Sequence, residues 1–232
     1  MRKLLVTILT FLLIHNAGKT QTRIGVTAGG NLSNITWKQF SNKQTTRFLP
    51  GYQMGFTVTT PLKVFNRQLH IQPGLLFSRK GFQQNYSDYL GDADYRVKPY
   101  YIELPVNLLY LIPNKTDKNV FVGLGPYIAC GIGGQWEIKY HGNTGNFVGD
   151  IEYADINDQR PPQYYIGDEA FNYGRRIDYG VHMLAGYELW GNLQVQAHGQ
   201  LGLRNLAPPK NGVTGNEYFK NISLGLSLNY LL

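Results

Sequence analysis

Glu103 stands inside "YYIELPVNLLYLIP" (residues 100–113), a run of aliphatic and aromatic side chains that also holds Pro105. A buried carboxylate without a partner costs several kcal/mol, so the sequence must supply one. The other residues able to do chemistry are scattered: the charges Lys80, Asp178, Glu188 and Arg204, the imidazoles His70, His182 and His198, and a lone thiol, Cys130. A zinc site wants histidines at i, i+2 or i, i+4, and these three form no such pair. Histidines satisfied within an interior are the simpler expectation. A serine nucleophile needs an adjacent base, yet Ser33, Ser78 and Ser87 have no histidine beside them, and GxSxG is absent. No acid pair suited to glycoside chemistry stands out. "GLGPYIACGIGG" is glycine-rich but lacks the Lys-Ser/Thr ending of a phosphate loop. Cys130 has no activating base in its surroundings. The expectation is a non-enzymatic protein without a cofactor or metal, in which Lys80, Glu103, Asp178, Glu188, Arg204, His70, His182 and His198 form a polar network.

What positions these residues is an alternation of period two. Tyr100, Ile102, Leu104, Val106, Leu108 and Tyr110 fall on one face, and Tyr101, Glu103, Pro105, Asn107 and Leu109 on the other. In a strand those sets point to opposite sides. The same pattern recurs in "RIGVTAGGNLSN", "GYQMGFTVTT", "LHIQPGLLFSRKG", "VFVGLGPYIACGIG", "RIDYGVHMLAGYEL", "LQVQAHGQLGLRN" and "NISLGLSLNYLL", which makes eight segments. Every candidate charge and histidine falls on the mixed face, and Cys130 on the apolar one. Eight dyad-patterned segments of about ten residues are the signature of a transmembrane β-barrel. Connections after the second, fourth and sixth segments are short, and those after the first, third, fifth and seventh are longer. Short periplasmic turns and long outer loops give that order.

A soluble up-and-down barrel would bury the apolar faces instead. Three features select the membrane arrangement. The mixed faces are dominated by Gly, Gln, Ser, Thr and Asn, poor material for a dry core. Tyr52, Tyr100, Tyr110, Tyr179, Tyr187 and Tyr230 lie near the ends of the apolar stripes, as interfacial girdles would. The last segment, with Ser223, Gly225, Leu228 and Tyr230 before the final Leu232, fits the signal read by outer-membrane barrel assembly machinery. Glycines on the inward faces would relieve crowding across a narrow lumen. Pro105, facing in, removes one ladder donor and predicts a bulge or irregular pairing beside it.

Composition agrees. Charged residues make up 16% of the 232, too few for a long-helix protein, while 27 Gly and 17 Tyr are many. The start, "MRKLLVTILTFLLIHNAGKTQT", has the basic, apolar and small-residue parts of a secretory signal, so residues 1–21 are expected to be removed and 22–232 to form the barrel domain. Without Arg2, Lys3 and Lys19 there are 19 basic residues against 15 acidic, a mild excess with no cluster that suits nucleic acid. One cysteine excludes an intramolecular disulfide.

The blocks "RIGVTAGGNLSNIT", "LHIQPGLLFSRKGF", "YIELPVNLLY", "VFVGLGPYIACGI", "YGVHMLAGYEL" and "LGLRNL", in this order, resemble the PorT-like outer-membrane β-barrel family from about Arg23 to Leu232. The resemblance implies an all-β, eight-stranded antiparallel up-and-down barrel in a Gram-negative outer membrane, without shared catalytic residues. The chain departs from the family in Gln196 and His198, where more charge is expected, and in an unusually long third outer loop, about 133–175. That loop, rich in Tyr, Asp, Asn and Gly, offers Trp136, Tyr153, Tyr164, Tyr165 and Phe171 as a recognition surface, or else simply covers the barrel mouth. Its "WEIKY" and "FVGDIEYADI" alternate and could extend strands five and six as a hairpin. The expected role is structural or interaction-based through the outer loops. The alternatives are a small-molecule carrier or narrow pore using the lumen, and a soluble periplasmic barrel. Expected partners are outer-membrane lipid, the assembly machinery and an envelope or extracellular partner, with no nucleic acid.

Overall fold

A computed structural model describes residues 22–39, 42–62, 68–88, 91–112, 120–141, 145–154, 171–207 and 218–232. The expected signal, residues 1–21, lies outside them. The strands are β1 (Arg23–Gln39), β2 (Asn42–Lys43), β3 (Arg47–Pro61), β4 (Leu69–Arg79), β5 (Phe82–Asp88), β6 (Gly91–Ile112), β7 (Val120–Tyr140), β8 (Asn146–Ala154), β9 (Phe171–Arg175), β10 (Ile177–Trp190), β11 (Leu193–Gly202) and β12 (Tyr218–Leu231).

Eight of these strands close a ring in the order β1, β3, β4, β6, β7, β10, β11, β12 and back to β1, with every neighbour antiparallel. The closing seam runs from Gly25 opposite Leu231 to Lys38 opposite Tyr218. Closure leaves no open edge in the barrel wall, which a strand protein in lipid requires. The eight ring strands fall on the eight segments of alternating sequence. Period two then sorts the side chains. Phe56, Leu124 and Leu226 are 58%, 59% and 64% exposed, whereas Gln72, Glu103 and Asn229 are 2%, 1% and 0% exposed. Apolar side chains face out and amides and charges face in.

Above the ring at the loop end, the sheet continues. β5 pairs with the start of β6 from Phe82–Val97 to Asp88–Gly91, so the connection after the third segment is a strand hairpin rather than an irregular loop. "WEIKY" extends β7, and β8 folds back on it from Gln135–Asp150 to Lys139–Asn146. The hairpin therefore joins β7 to β8 rather than to β10, and β9 lies parallel to β8.

One bulge decides what this extension buries. Tyr101 of β6 pairs with Gly131 while Tyr100 pairs with Gly133, leaving Ile132 as an extra residue in β7. Below it Val122, Leu124, Ile128 and Ile132 face out. Above it Trp136, Ile138 and Tyr140 face in and are buried. Gly133 and Gly134, with φ of 146° and 150°, adopt the left-handed backbone that this face switch needs. The inward side chains join Ile35, Phe82, Tyr95, Val97, Ile151, Tyr153, Leu206 and Phe219 in an aromatic core over the barrel mouth. At Pro105 the ladder to β7 breaks between Pro105–Tyr127 and Leu108–Leu124 and then resumes in the same register. This is the irregular pairing expected there, without a bulge.

Candidate functional site: the filled lumen

The middle of the lumen is a charged layer. Glu103 on β6 receives Lys80 Nζ at 2.8 Å on Oε1 and Gln200 Nε2 at 2.7 Å on Oε2, and the Ser78 hydroxyl donates to Oε1. Lys80 also donates to Gln200 Oε1, and its ammonium lies 5.5 Å and 5.2 Å from the ring centres of Tyr101 and Tyr127. Asp178 sits beside this group. Its Oδ2 accepts from Asn221 Nδ2 at 2.9 Å and from the Tyr127 hydroxyl at 3.1 Å. The question posed by Glu103 is thereby answered: its charge is neutralised by one cation and its lone pairs by two neutral donors. A buried pair so completed is tolerable, whereas a charge facing lipid at mid-depth costs about 2–4 kcal/mol.

Toward the turn end lies an amide and imidazole layer. His182 Nδ1 is 2.8 Å from Asn107 Oδ1, and the His182 and His198 rings stack with centres 6.2 Å apart. Thr27, Gln53, Thr57, Gln72, Gln196 and Ser227 complete a cavity with about 20 Å³ of water-accessible space, room for about one water. A Cβ at Gly225 would stand 2.4 Å from His198 Nε2, so glycine there admits the ring. Among the described residues no three His, Cys, Asp or Glu side chains come together as a metal site. Below the histidines, Leu109, Phe121 and Leu184 form an apolar stopper, and the Phe121 ring occupies the space a side chain at Gly186 would need. Glu188 closes the turn end, 3.9 Å from Arg23.

Lys80, Glu103, Asp178, His182 and His198 thus share the middle of the barrel. Glu188 and His70 belong to the turn end, His70 pairing across the ladders with Leu109 and Pro61. Arg204 is a correction. The amides of Leu203 and Arg204 both donate to the Tyr179 carbonyl, so the alternation stops there. The Arg204 guanidinium lies 5.9 Å from the centre of the outward Tyr179 ring, away from Glu103. Two loop-recognition candidates also change place. Trp136 is 2% exposed and Tyr153 is 8% exposed, the latter edge-on to Tyr101. Both fill the outer core and are not presented to a partner. Phe171 opens β9, opposite Ile151, while Tyr164 and Tyr165 lie outside the described residues. Gln200, Asn221, Tyr101 and Tyr127 complete the charged layer unforeseen. Their inward parity was readable, but neutral residues carried no flag.

Outside the membrane segment, β6 and β7 carry a ladder of charges on their outward face. Lys98 Nζ is 2.7 Å from Glu137 Oε2, and Arg96 is 3.7 Å from Asp94. The hydrogen bond from Lys98 holds the Glu137 carboxyl below its ordinary range.

A closed antiparallel ring, apolar outside and polar inside, defines an integral barrel of the outer-membrane type. The chain belongs to the outer membrane protein beta-barrel domain family, whose sequence pattern matches residues 17–207. That membership places the protein in the outer membrane. Among curated proteins none matches the sequence. Solved structures similar to it include the attachment invasion locus protein Ail of Yersinia pestis (11% identity, 91% of this chain and 99% of that one, TM-score 0.38). Another is Neisserial surface protein A (8%, 89% and 96%, TM-score 0.41). A third is OprG from Pseudomonas aeruginosa (12%, 93% and 98%, TM-score 0.42). The fold assignment rests on the strand ring and the family match, not on these neighbours.

Proposed function

We propose that this protein is a closed, non-enzymatic barrel of the PorT-like kind, with a structural or interaction role carried by its outer extension and loops. The observation that carries this reading is the filling of the lumen at every level. An aromatic core lies over the mouth, the Lys80–Glu103–Gln200 layer crosses the middle, and Leu109, Phe121 and Leu184 stop the turn end. A carrier needs a cavity of several hundred Å³ for even a small organic ligand. The about 20 Å³ beside His182 and His198 is far short of that. The protein's proposed partners are the surrounding lipid, the assembly machinery acting on the strand that ends in Leu228 and Tyr230, and an envelope or extracellular partner at the loops. The test is conductance in a planar lipid bilayer. The purified protein is expected to give no stepwise current. Reproducible unit steps would favour the pore reading instead.

A further inference from the structure

Among the described residues, those facing outward just past the apolar stripes differ at the two ends of the barrel. At the loop end, Tyr52, Tyr100 and Tyr179 close the stripes of β3, β6 and β10, with Phe77 between Tyr52 and Tyr100, tilted against the first at 6.2 Å and stacked on the second at 5.7 Å. The next outward residue is Arg79 at the end of β4, Lys98 on β6, Arg204 after β11 and Lys220 on β12. At the turn end, Tyr110, Tyr187 and Tyr230 close the stripes, and beyond them the described outward residues are Ile112, Trp190 and Leu232. The described cation at that end, Arg23, turns to Glu188.

The loop-end cations are of two kinds. Lys98 is neutralised by Glu137 at 2.7 Å, and the neighbouring Arg96 by Asp94. Arg79, Arg204 and Lys220 have no ion-pair partner among the described residues. Arg79 is held instead by the Tyr52 ring, 5.0 Å from its centre, and by donation to the Pro50 carbonyl at 3.1 Å. Arg204 is held over Tyr179. Free snorkelling would leave these side chains extended toward water. Here Arg79 and Arg204 are laid on tyrosine rings at the interfacial girdle, which fixes each guanidinium at headgroup depth. Round the ring these three residues span the arc from β4 through β3, β1 and β12 to β11, opposite the neutralised β6–β7 side.

We propose that this arc, Arg79, Lys220 and Arg204, is a binding surface for the phosphates of a phosphorylated glycolipid in the outer leaflet. Charge complementarity selects the partner. Cations unpaired among the described residues line one interface, a leaflet rich in phosphate monoesters supplies the anions, and guanidinium matches phosphate in a two-pronged fashion. The adjoining apolar stripe, with Leu224, Leu226, Leu201 and Leu203 exposed, receives the acyl chains.

The test is native mass spectrometry of the full protein in detergent, titrated with bis-phosphorylated lipid A, with the same lipid stripped of its phosphates, and with phosphatidylglycerol. The expected result is retention of the bis-phosphorylated lipid above both others. In the variant R79Q/R204Q/K220Q that retention falls by roughly fivefold per cation removed. The variant R79K/R204K keeps the charge but loses the two-pronged guanidinium and retains binding in part, while K98Q leaves it unchanged. Each variant's fold is checked by its compact, unboiled migration on a gel. Equal retention of the three lipids, or a folded triple variant that binds as well as the parent, would overturn the proposal.

Discussion

At the scale of single residues, the charged layer behaves as a unit. Removing only one member of the Lys80–Glu103 pair leaves the other charge buried at 4% or 1% exposure. Such a loss costs about 3–5 kcal/mol. Lys80→Met or Glu103→Gln is therefore expected to lower the urea midpoint of the barrel in lipid vesicles strongly. The double change K80M/E103Q should cost less than the two single changes summed, because neither partner of the pair then stands alone, although Asp178 beside them loses its neighbouring cation. Glu137 makes a smaller, pH-dependent contribution. Its carboxyl is held below the ordinary value of 4.5 by Lys98, so its stabilising effect is fully present above about that pH. It vanishes as pH falls through the lowered folded value. Exposed pairs contribute about 0.2–1 kcal/mol. The difference between the parent and Glu137→Gln should be small at pH 7 and shrink as the pH is lowered below 4.5, read from unfolding midpoints across that range.

At the scale of elements, the outer extension is a folded layer whose order depends on Trp136. Truncation to alanine removes the largest fully buried side chain among the described residues, at a cost of about 3–5 kcal/mol. The expectation is that Trp136→Ala exposes β5 and β8 to protease while the ring strands stay protected, measured by limited digestion of the inserted protein. Period two made the eight ring strands legible because each has one lipid face and one lumen face, and lipid tolerates no exception. It also placed Glu103, Lys80, Asp178 and the histidine pair inward. The extension was less legible. The extra residue Ile132 at Gly133 and Gly134 reverses the parity of β7, so Trp136 reads as a loop residue from sequence and is core in the fold. Arg204 failed for the same kind of reason: the backbone stops alternating at Leu203. Which inward residues meet across the lumen depends on strand stagger, and no local pattern encodes that. The pairing of His182 with His198 follows from β10 and β11 being neighbours, but the contact of His182 with Asn107 of β6 does not.

At the scale of the whole molecule, the inversion of faces is the central claim. An apolar exterior and a polar, filled interior describe a protein stable only where lipid replaces water around the ring. The proposed closure rests on the aromatic core over the mouth and the apolar stopper at the turn end. The most direct measurement is electrophoresis of the protein from detergent-extracted outer membranes, without and with boiling, together with fractionation of the envelope. The account predicts membrane association and a compact, faster-migrating unboiled form that shifts to the unfolded position on boiling. Recovery in the soluble periplasmic fraction, with no shift between the two samples, would contradict it.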